Sequence, residues 1–384
     1  MSKFILKFKH YITLFMVRFF CFFPIKNNKI FLYSYYGSQY GCNPKYISEY
    51  LIKNHTNKYD IVWAFNDLES KKDIQGIRKV KIMSLKYFYE LCTSKVIITN
   101  FRTTEIFRKR RGQYYIQTWH SSLRLKQIEK DAEDKLQLQY IKMAKEDSKK
   151  IDLLLSGCKL STNIFKRAFW YDGEIFEYGT PRNDILIKNK NELNNIIKEK
   201  LNIGSNKKII LYAPTFRKNN DLSIYNISYS KIIYKLKEKF GGDWIFLVKL
   251  HPHLILKSKD LVWGDEILDV TAYDDIQELL SISDILISDY SSLIFDFALT
   301  KKPCFLYVPD IDQYIKNDRN LYFNIDELPF IKTKNNEELE YEIYNFNNED
   351  YKVKLGSFSN KIGNFELGIC CEKLEKRLDK VCFN

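Results

Sequence analysis

The sequence predicts an α/β protein of two domains, each a parallel sheet covered by helices. Three observations carry this. At 384 residues the chain exceeds the roughly 250 to 300 at which a single core stops growing. Short β-rich runs alternate with helical stretches, and strands separated by helices pair in parallel and are buried on both faces. The alternation pauses once, at "IKNKNELNNIIKEKLNIGSNKK" (187–208), where a polar helix and a Gly-Ser-Asn break read as an interdomain connection.

Along the first part, strands are expected at 30–35, 61–65, 96–100, 114–119, 153–156 and 175–178. Helices fit between them at 44–54, 85–92 and the charged 131–150. After the connection the pattern restarts with strands at 209–212, 244–250, 267–270, 285–288 and 304–308. The expected division is a leader (1–28), an N-terminal domain (29–187), a linker (188–207) and a C-terminal domain (208–384), with a cleft between the domains. Ligands of such open sheets bind outside the carboxyl ends of the strands, so a functional residue should sit just after a strand.

The leader "MSKFILKFKHYITLFMVRFFCFFPIKNNK" is interrupted by Arg18 and closed by Pro24, short of the about 20 apolar residues a membrane span needs. Phe4, Phe8, Ile12, Phe15, Phe19 and Phe22 recur at helical spacing, among lysines and Arg18 and with no acidic residue. That pattern suits a helix lying in an anionic membrane interface, and the competing reading is a helix packed on its own domain. A net charge of +13 points to an anionic partner. The charges form no nucleic-acid recognition module, so nucleic acid is not an expected partner. The eight cysteines show no Cys-x-x-Cys pair, which fits a reducing cytoplasm and argues against a disulfide framework or structural zinc.

Five segments pass the strand-end test. In "QTWHSSLRLK", His120 follows a strand and precedes Ser121 and Ser122; an imidazole of ordinary pKa about 6.5 is a competent base for a hydroxyl. "YGTPRND" offers Arg182, whose planar fork suits phosphate, although taken alone the segment reads first as an Asx-type turn capping the next helix. "LYAPTFR" places Thr215 and Arg217 beyond a buried strand, and "VKLHPH" places Lys249, His251 and His253 likewise. "ISDYSSLIFDFALTKKP" brings Asp289, Ser291 and Ser292 to a helix start with Asp296 one turn in, an arrangement for an anion or a plain N-cap. Only five histidines occur, and three of them lie after expected strands beside cations and hydroxyls. Together they describe a diphosphate site with a base for an attacking alcohol; the basic run Arg108, Lys109, Arg110 and Arg111 is a further anion-binding candidate.

"QTWH", "GTPRND", "YAPTFR", "KLHPH" and "SDYSSLIFDFALTKKP" occur in the order and at about the spacing of the CDP-glycerol glycerophosphotransferases, the teichoic acid primases and polymerases, which the chain resembles over roughly residues 30–380. The C-terminal "FELGICCEKLEKRL" also looks like that family's closing helix. The resemblance implies a GT-B-like pair of Rossmann-type domains with no metal and no cofactor. It implies transfer of glycerol phosphate from CDP-glycerol to a hydroxyl of a lipid-linked glycan or polyol-phosphate acceptor, with release of CMP, in teichoic acid-like or capsular polymer synthesis. The expected place of action is the cytoplasmic face of the membrane, peripherally. By position His120 would be the base and His251 the second essential histidine, with Arg182, Thr215, Lys249, Ser291, Ser292 and Asp296 at donor-contacting places. Arg217 would stabilise phosphoryl charge. The alternatives are a GT-B glycosyltransferase using a nucleotide sugar and a CDP-ribitol ribitolphosphotransferase. One departure stands out: the family's His-Gly-Thr-Pro runs here as His120, Ser121, Ser122, Leu123, without the Gly that permits φ > 0 or the Pro that fixes φ.

Overall fold

The computed structural model describes residues 3–188, 191–217, 223–250, 264–317 and 320–384. The chain divides into two compact units: Met1–Ser122 with Ile128–Asp184 and Phe365–Asn384, and Leu123–Gln127 with Ile185–Asn364.

The first unit is a seven-stranded sheet of β1 (Lys26–Tyr33), β2 (Asp60–Phe65), β3 (Arg78–Lys81), β4 (Ser94–Thr99), β5 (Tyr114–Gln117), β6 (Leu153–Leu155) and β7 (Glu174–Phe176). All pairings are parallel, in the order β3-β2-β1-β4-β5-β6-β7. Strand order therefore reverses between β1 and β4, the switch point at which open α/β sheets bind ligands. Alternate residues Ile30, Leu32, Val96, Ile98 and Ile116 form one buried face, and helix Cys370–Phe383 lays Leu374 and Leu378 on it. That helix is at the far end of the sequence, so the expected domain 208–384 loses its last 20 residues to the first unit. The carboxylate of Asp184 holds the helix there by accepting the N–H groups of Cys370 (3.0 Å) and Cys371 (2.8 Å). β3 lies outside the expected strands because "RKVK" buries only Val80; it is an edge strand whose Arg78 pairs with Asp60 of β2 at 2.7 Å.

The second unit repeats the winding with β8 (Lys208–Tyr212), β9 (Trp244–Val248), β10 (Ile267–Asp269), β11 (Ile285–Ser288), β12 (Cys304–Tyr307) and β13 (Ile331–Thr333), in the order β10-β9-β8-β11-β12-β13. Its switch point lies between β8 and β11, where Ile285 pairs with Ile210 and Ile287 with Tyr212. The expected linker 188–207 is not a bare connection. Helix Asn191–Lys200 buries Ile197 completely and packs on helix Ile276–Ile282, because the polar run carries one apolar stripe. The expected helix 131–150 is also shorter: a 3-10 stretch Glu129–Lys135 gives way at extended Leu136 and Gln137 to helix Leu138–Ser148.

The leader forms helix Lys3–Phe20, which packs on helix Leu85–Thr93, and no described helix is long and apolar enough to cross a membrane. Among its described side chains Thr13 and Val17 are buried, whereas Phe15 (66%) and Phe22 (88%) are exposed along with Tyr11, Ile12 and Phe19. Ile12, Phe15, Phe19 and Phe22 of the apolar stripe thus face away from the unit.

Candidate active site

His120 lies just beyond the carboxyl end of β5, the strand next to β4 of the switch point. β5 ends at Gln117, and Trp119, at φ 52°, turns the chain so that the imidazole is exposed. Its Nδ1 lies 3.2 Å from the carbonyl oxygen of Asn100, the residue that follows β4. A carbonyl only accepts, so in the neutral ring Nδ1 carries the proton and the lone pair sits on Nε2, a tautomer suited to a general base. Behind the ring, Trp119 stacks at 4.6 Å and 27°, and Phe169 meets Trp119 edge-on at 5.0 Å. The guanidinium of Arg102, 3.5 Å from the Phe169 ring centre, is buried with Glu129 (3.3 Å) and Asp147 (3.4 Å) as counter-charges. Asn100 is itself buried, its Oδ1 accepting the Tyr35 N–H at 2.9 Å. This wall fixes the imidazole plane. Sequence reading missed Asn100 and Trp119, although the strand-end rule that found His120 points equally to Asn100.

Ser121 and Ser122 are each only 5% exposed. The Ser122 carbonyl accepts the Ser161 hydroxyl at 2.5 Å, and Gly157 runs so close that a Cβ there would stand 2.4 Å from the Ser122 Cβ. Without the family's Gly and Pro, this turn is held by neighbouring backbone.

"GTPRND" serves as a clamp. Buried Glu366 accepts the Thr180 N–H (3.0 Å), the Thr180 hydroxyl (2.7 Å) and the Asn183 amide (3.1 Å), while Asp184 caps the C-terminal helix. Arg182 is 4% exposed, its N–H on Asn43 and its guanidinium 3.6 Å from the Cys42 sulfur. The turn reading accounts for the described contacts of this segment, in which the Arg182 guanidinium lies inside the unit.

In the second unit, Thr215, Lys249, Ser291 and Ser292 gather at the carboxyl ends of β8, β9 and β11. Arg217, expected as a phosphate ligand, is already neutralised: Nη1 lies 2.9 Å from Asp289 and Nε 2.6 Å from Asp310. The Asp289 carboxylate also accepts the Thr215 N–H at 2.8 Å. Burial raises the Asp289 carboxyl above its usual range, with Arg217 and Thr215 pulling the other way. Tyr290 and Tyr314 stack at 3.8 Å beside the guanidinium. Arg217 and Asp289 thus shape the loop that follows β8. Asp296, in helix Leu293–Ala298, is fully buried with its carboxylate 3.4 Å from Gln277 Nε2. The Ser292 hydroxyl accepts the Leu125 N–H at 3.1 Å, and the Ser291 hydroxyl accepts the Leu293 N–H at 3.4 Å. Both serines are half-buried. His251 and His253 lie outside the described residues.

Lys249 donates to the carbonyls of Val270 (3.4 Å), Thr271 (3.2 Å) and Tyr273 (2.6 Å), and burial pulls its pKa down to about 8. Between that value and the ordinary lysine pKa of about 10.4 the unfolded chain binds the extra proton, so this group makes stability rise with pH there. Urea midpoints measured from pH 8 to 9.5 are expected to climb less in Lys249→Met than in the native protein; equal climbs would remove the assignment.

Two parallel-sheet units of this winding define a GT-B-like transferase fold. The chain belongs to the CDP-Glycerol:Poly(glycerophosphate) glycerophosphotransferase family, which it matches over residues 15–379. It is 37% identical over 328 residues to the teichoic acid poly(glycerol phosphate) polymerase of Bacillus spizizenii, covering 80% of this chain and 82% of that protein. To the polymerase of the same description from Bacillus subtilis it is 34% identical over 327 residues, 81% of this chain but only 43% of the relative's length. Among solved structures, the wall teichoic acid polymerase TagF superposes with a TM-score of 0.84 at 29% identity, covering 96% of this chain and 94% of that one.

Proposed function

We propose that this protein transfers glycerol phosphate from CDP-glycerol to a hydroxyl of a lipid-linked glycan or polyol-phosphate acceptor and releases CMP. The observation that carries the reading is the His120 Nδ1 to Asn100 carbonyl contact, which leaves Nε2 as the base in a chain of this family. In the step, Nε2 takes the proton of the acceptor hydroxyl as its oxygen attacks the phosphorus bearing glycerol. The P–O bond to the cytidylyl phosphate breaks, and CMP carries away the electron pair. Donor phosphates are assigned to the second unit, to the Ser291 and Ser292 hydroxyls, Thr215 and Lys249, with His251 as the second histidine. Arg182, Arg217 and Asp296 are given scaffold roles, because each is buried against partners of its own unit.

Work at a membrane surface, on the cytoplasmic side, completes the reading. It is supported by the outward aromatic stripe of the N-terminal helix and by eight free cysteines, seven of them buried. The deciding experiment offers purified protein CDP-glycerol, CDP-ribitol and several nucleotide sugars with a lipid-linked glycan acceptor and follows CMP. CMP from CDP-glycerol alone is expected. Turnover of CDP-ribitol would change the donor, and turnover of only a nucleotide sugar, with loss of a nucleoside diphosphate, would overturn the reaction class.

A further inference from the structure

The first unit holds a cavity of about 770 Å³ between the loop that follows β4 and helix Leu138–Ser148. His120 is not among its lining residues, and no step of the transfer uses it. Phe107 and Met143 supply apolar wall; Arg108, Lys109, Lys142, Lys149 and Lys150 stand against the two carboxylates of Glu105 and Glu146. Two of these charges are matched, Lys149 with Glu146 (2.6 Å) and Lys109 with Asp152 (2.5 Å), and the Glu105 carboxylate lies 3.6 Å from the His10 ring of the N-terminal helix. Arg108 and Lys142 are exposed and have no ion pair among the described residues. The loop is preformed. The Lys150 ammonium donates to the Thr103 hydroxyl (3.1 Å) and to the carbonyls of Thr104 (3.0 Å) and Phe107 (3.1 Å), and Asp147 accepts the Thr103 N–H at 3.1 Å.

A cavity with apolar wall, surplus cations and a preset mouth suits a ligand with an anionic head and a hydrocarbon body. The His10–Glu105 contact ties it to the helix whose Tyr11 and Phe15 face outward, so a ligand standing in a bilayer reaches it from the same side. We propose that this cavity binds a single phosphorylated lipid, its phosphate held by Arg108 and Lys142 and its chains lying on Phe107 and Met143. The inference extends the membrane-surface part of the proposed function and leaves the chemistry untouched.

The probe is dioctanoyl phosphatidylglycerol, titrated below its micelle concentration by calorimetry into the full chain. Saturable one-to-one binding is expected. Loss of a charge-assisted phosphate contact is worth about tenfold or more, so R108E/K142E should weaken binding by at least that factor. M143W, which fills the cavity without changing charge, should do the same with an unchanged melting temperature, whereas K231E/K239E, an equal charge change in the second unit, should not. Unaltered binding in R108E/K142E overturns the site, and full competition by millimolar inorganic phosphate would make it a free-anion site. Equal binding of dioctanoyl phosphatidylcholine would remove the role of the cations. CMP release onto a water-soluble acceptor separates the two readings. Its persistence in R108E/K142E with lipid binding lost supports a distinct site; its absence in native protein that still binds lipid strikes the transfer reading alone.

Discussion

His120→Ala is expected to stay folded and to release CMP from CDP-glycerol at least about 100-fold more slowly than the native protein, the usual cost of losing a general base. Folding should survive because the imidazole is exposed and its described hydrogen bond goes to a backbone carbonyl that carries on in the strand-end turn. Trp119, Phe169 and Arg102 remain packed on one another without it. The deficit should fall on kcat, with CDP-glycerol affinity by calorimetry unchanged, since the donor groups assigned above all belong to the second unit. His120→Gln is the sharper control. Its amide can keep the contact to the Asn100 carbonyl and fill similar space, yet it offers no basic nitrogen. Near-native CMP release by either variant would remove His120 as the base.

His120 and the two arginines differ in how much of their surroundings the sequence displays. Strand alternation is visible because buried parallel strands are unbroken apolar runs: "KIFLY", "KVIIT" and "KIILY" each announce themselves. Strand ends, and with them His120 and the serines of "SDYSS", follow directly. The charged edge strand β3 and the short edge strand β13, "IKT", leave no such signal. Nor does sequence say which sheet the C-terminal helix covers, for that depends on Asp184 and Glu366 meeting segments 186 residues away in the chain. An arginine after a strand reads as a phosphate fork only while its counter-ion is unseen. Asp310, 93 residues beyond Arg217, is the ground for the scaffold role proposed for that residue, and burial is the ground for Arg182. Asn100 escapes for another reason: what it gives His120 is a backbone carbonyl, which any residue type possesses.

Arg217→Met is expected to unfold the second unit early. Asp289 is fully buried and relies on Arg217 at 2.9 Å; Asp310, its other partner, is less enclosed. Removing one side of a buried ion pair costs about 3 to 5 kcal/mol, because the remaining charge keeps its desolvation penalty. For a unit of this size that lowers the melting temperature by about 6 to 20 °C. Burial already raises the Asp289 carboxyl, and losing the guanidinium raises it further. A carboxyl whose folded pKa lies above its unfolded one binds more protons folded, so its contribution to stability falls as pH rises through that window. The Arg217→Met deficit should accordingly shrink between pH 7 and pH 5, and R217M/D289N should recover part of the loss at pH 7, as urea midpoints will show. A phosphate ligand predicts the opposite pattern. If Arg217→Met melts with the native protein at both pH values and loses only CDP-glycerol affinity, the guanidinium is a donor contact and Asp289 and Asp310 merely hold it ready.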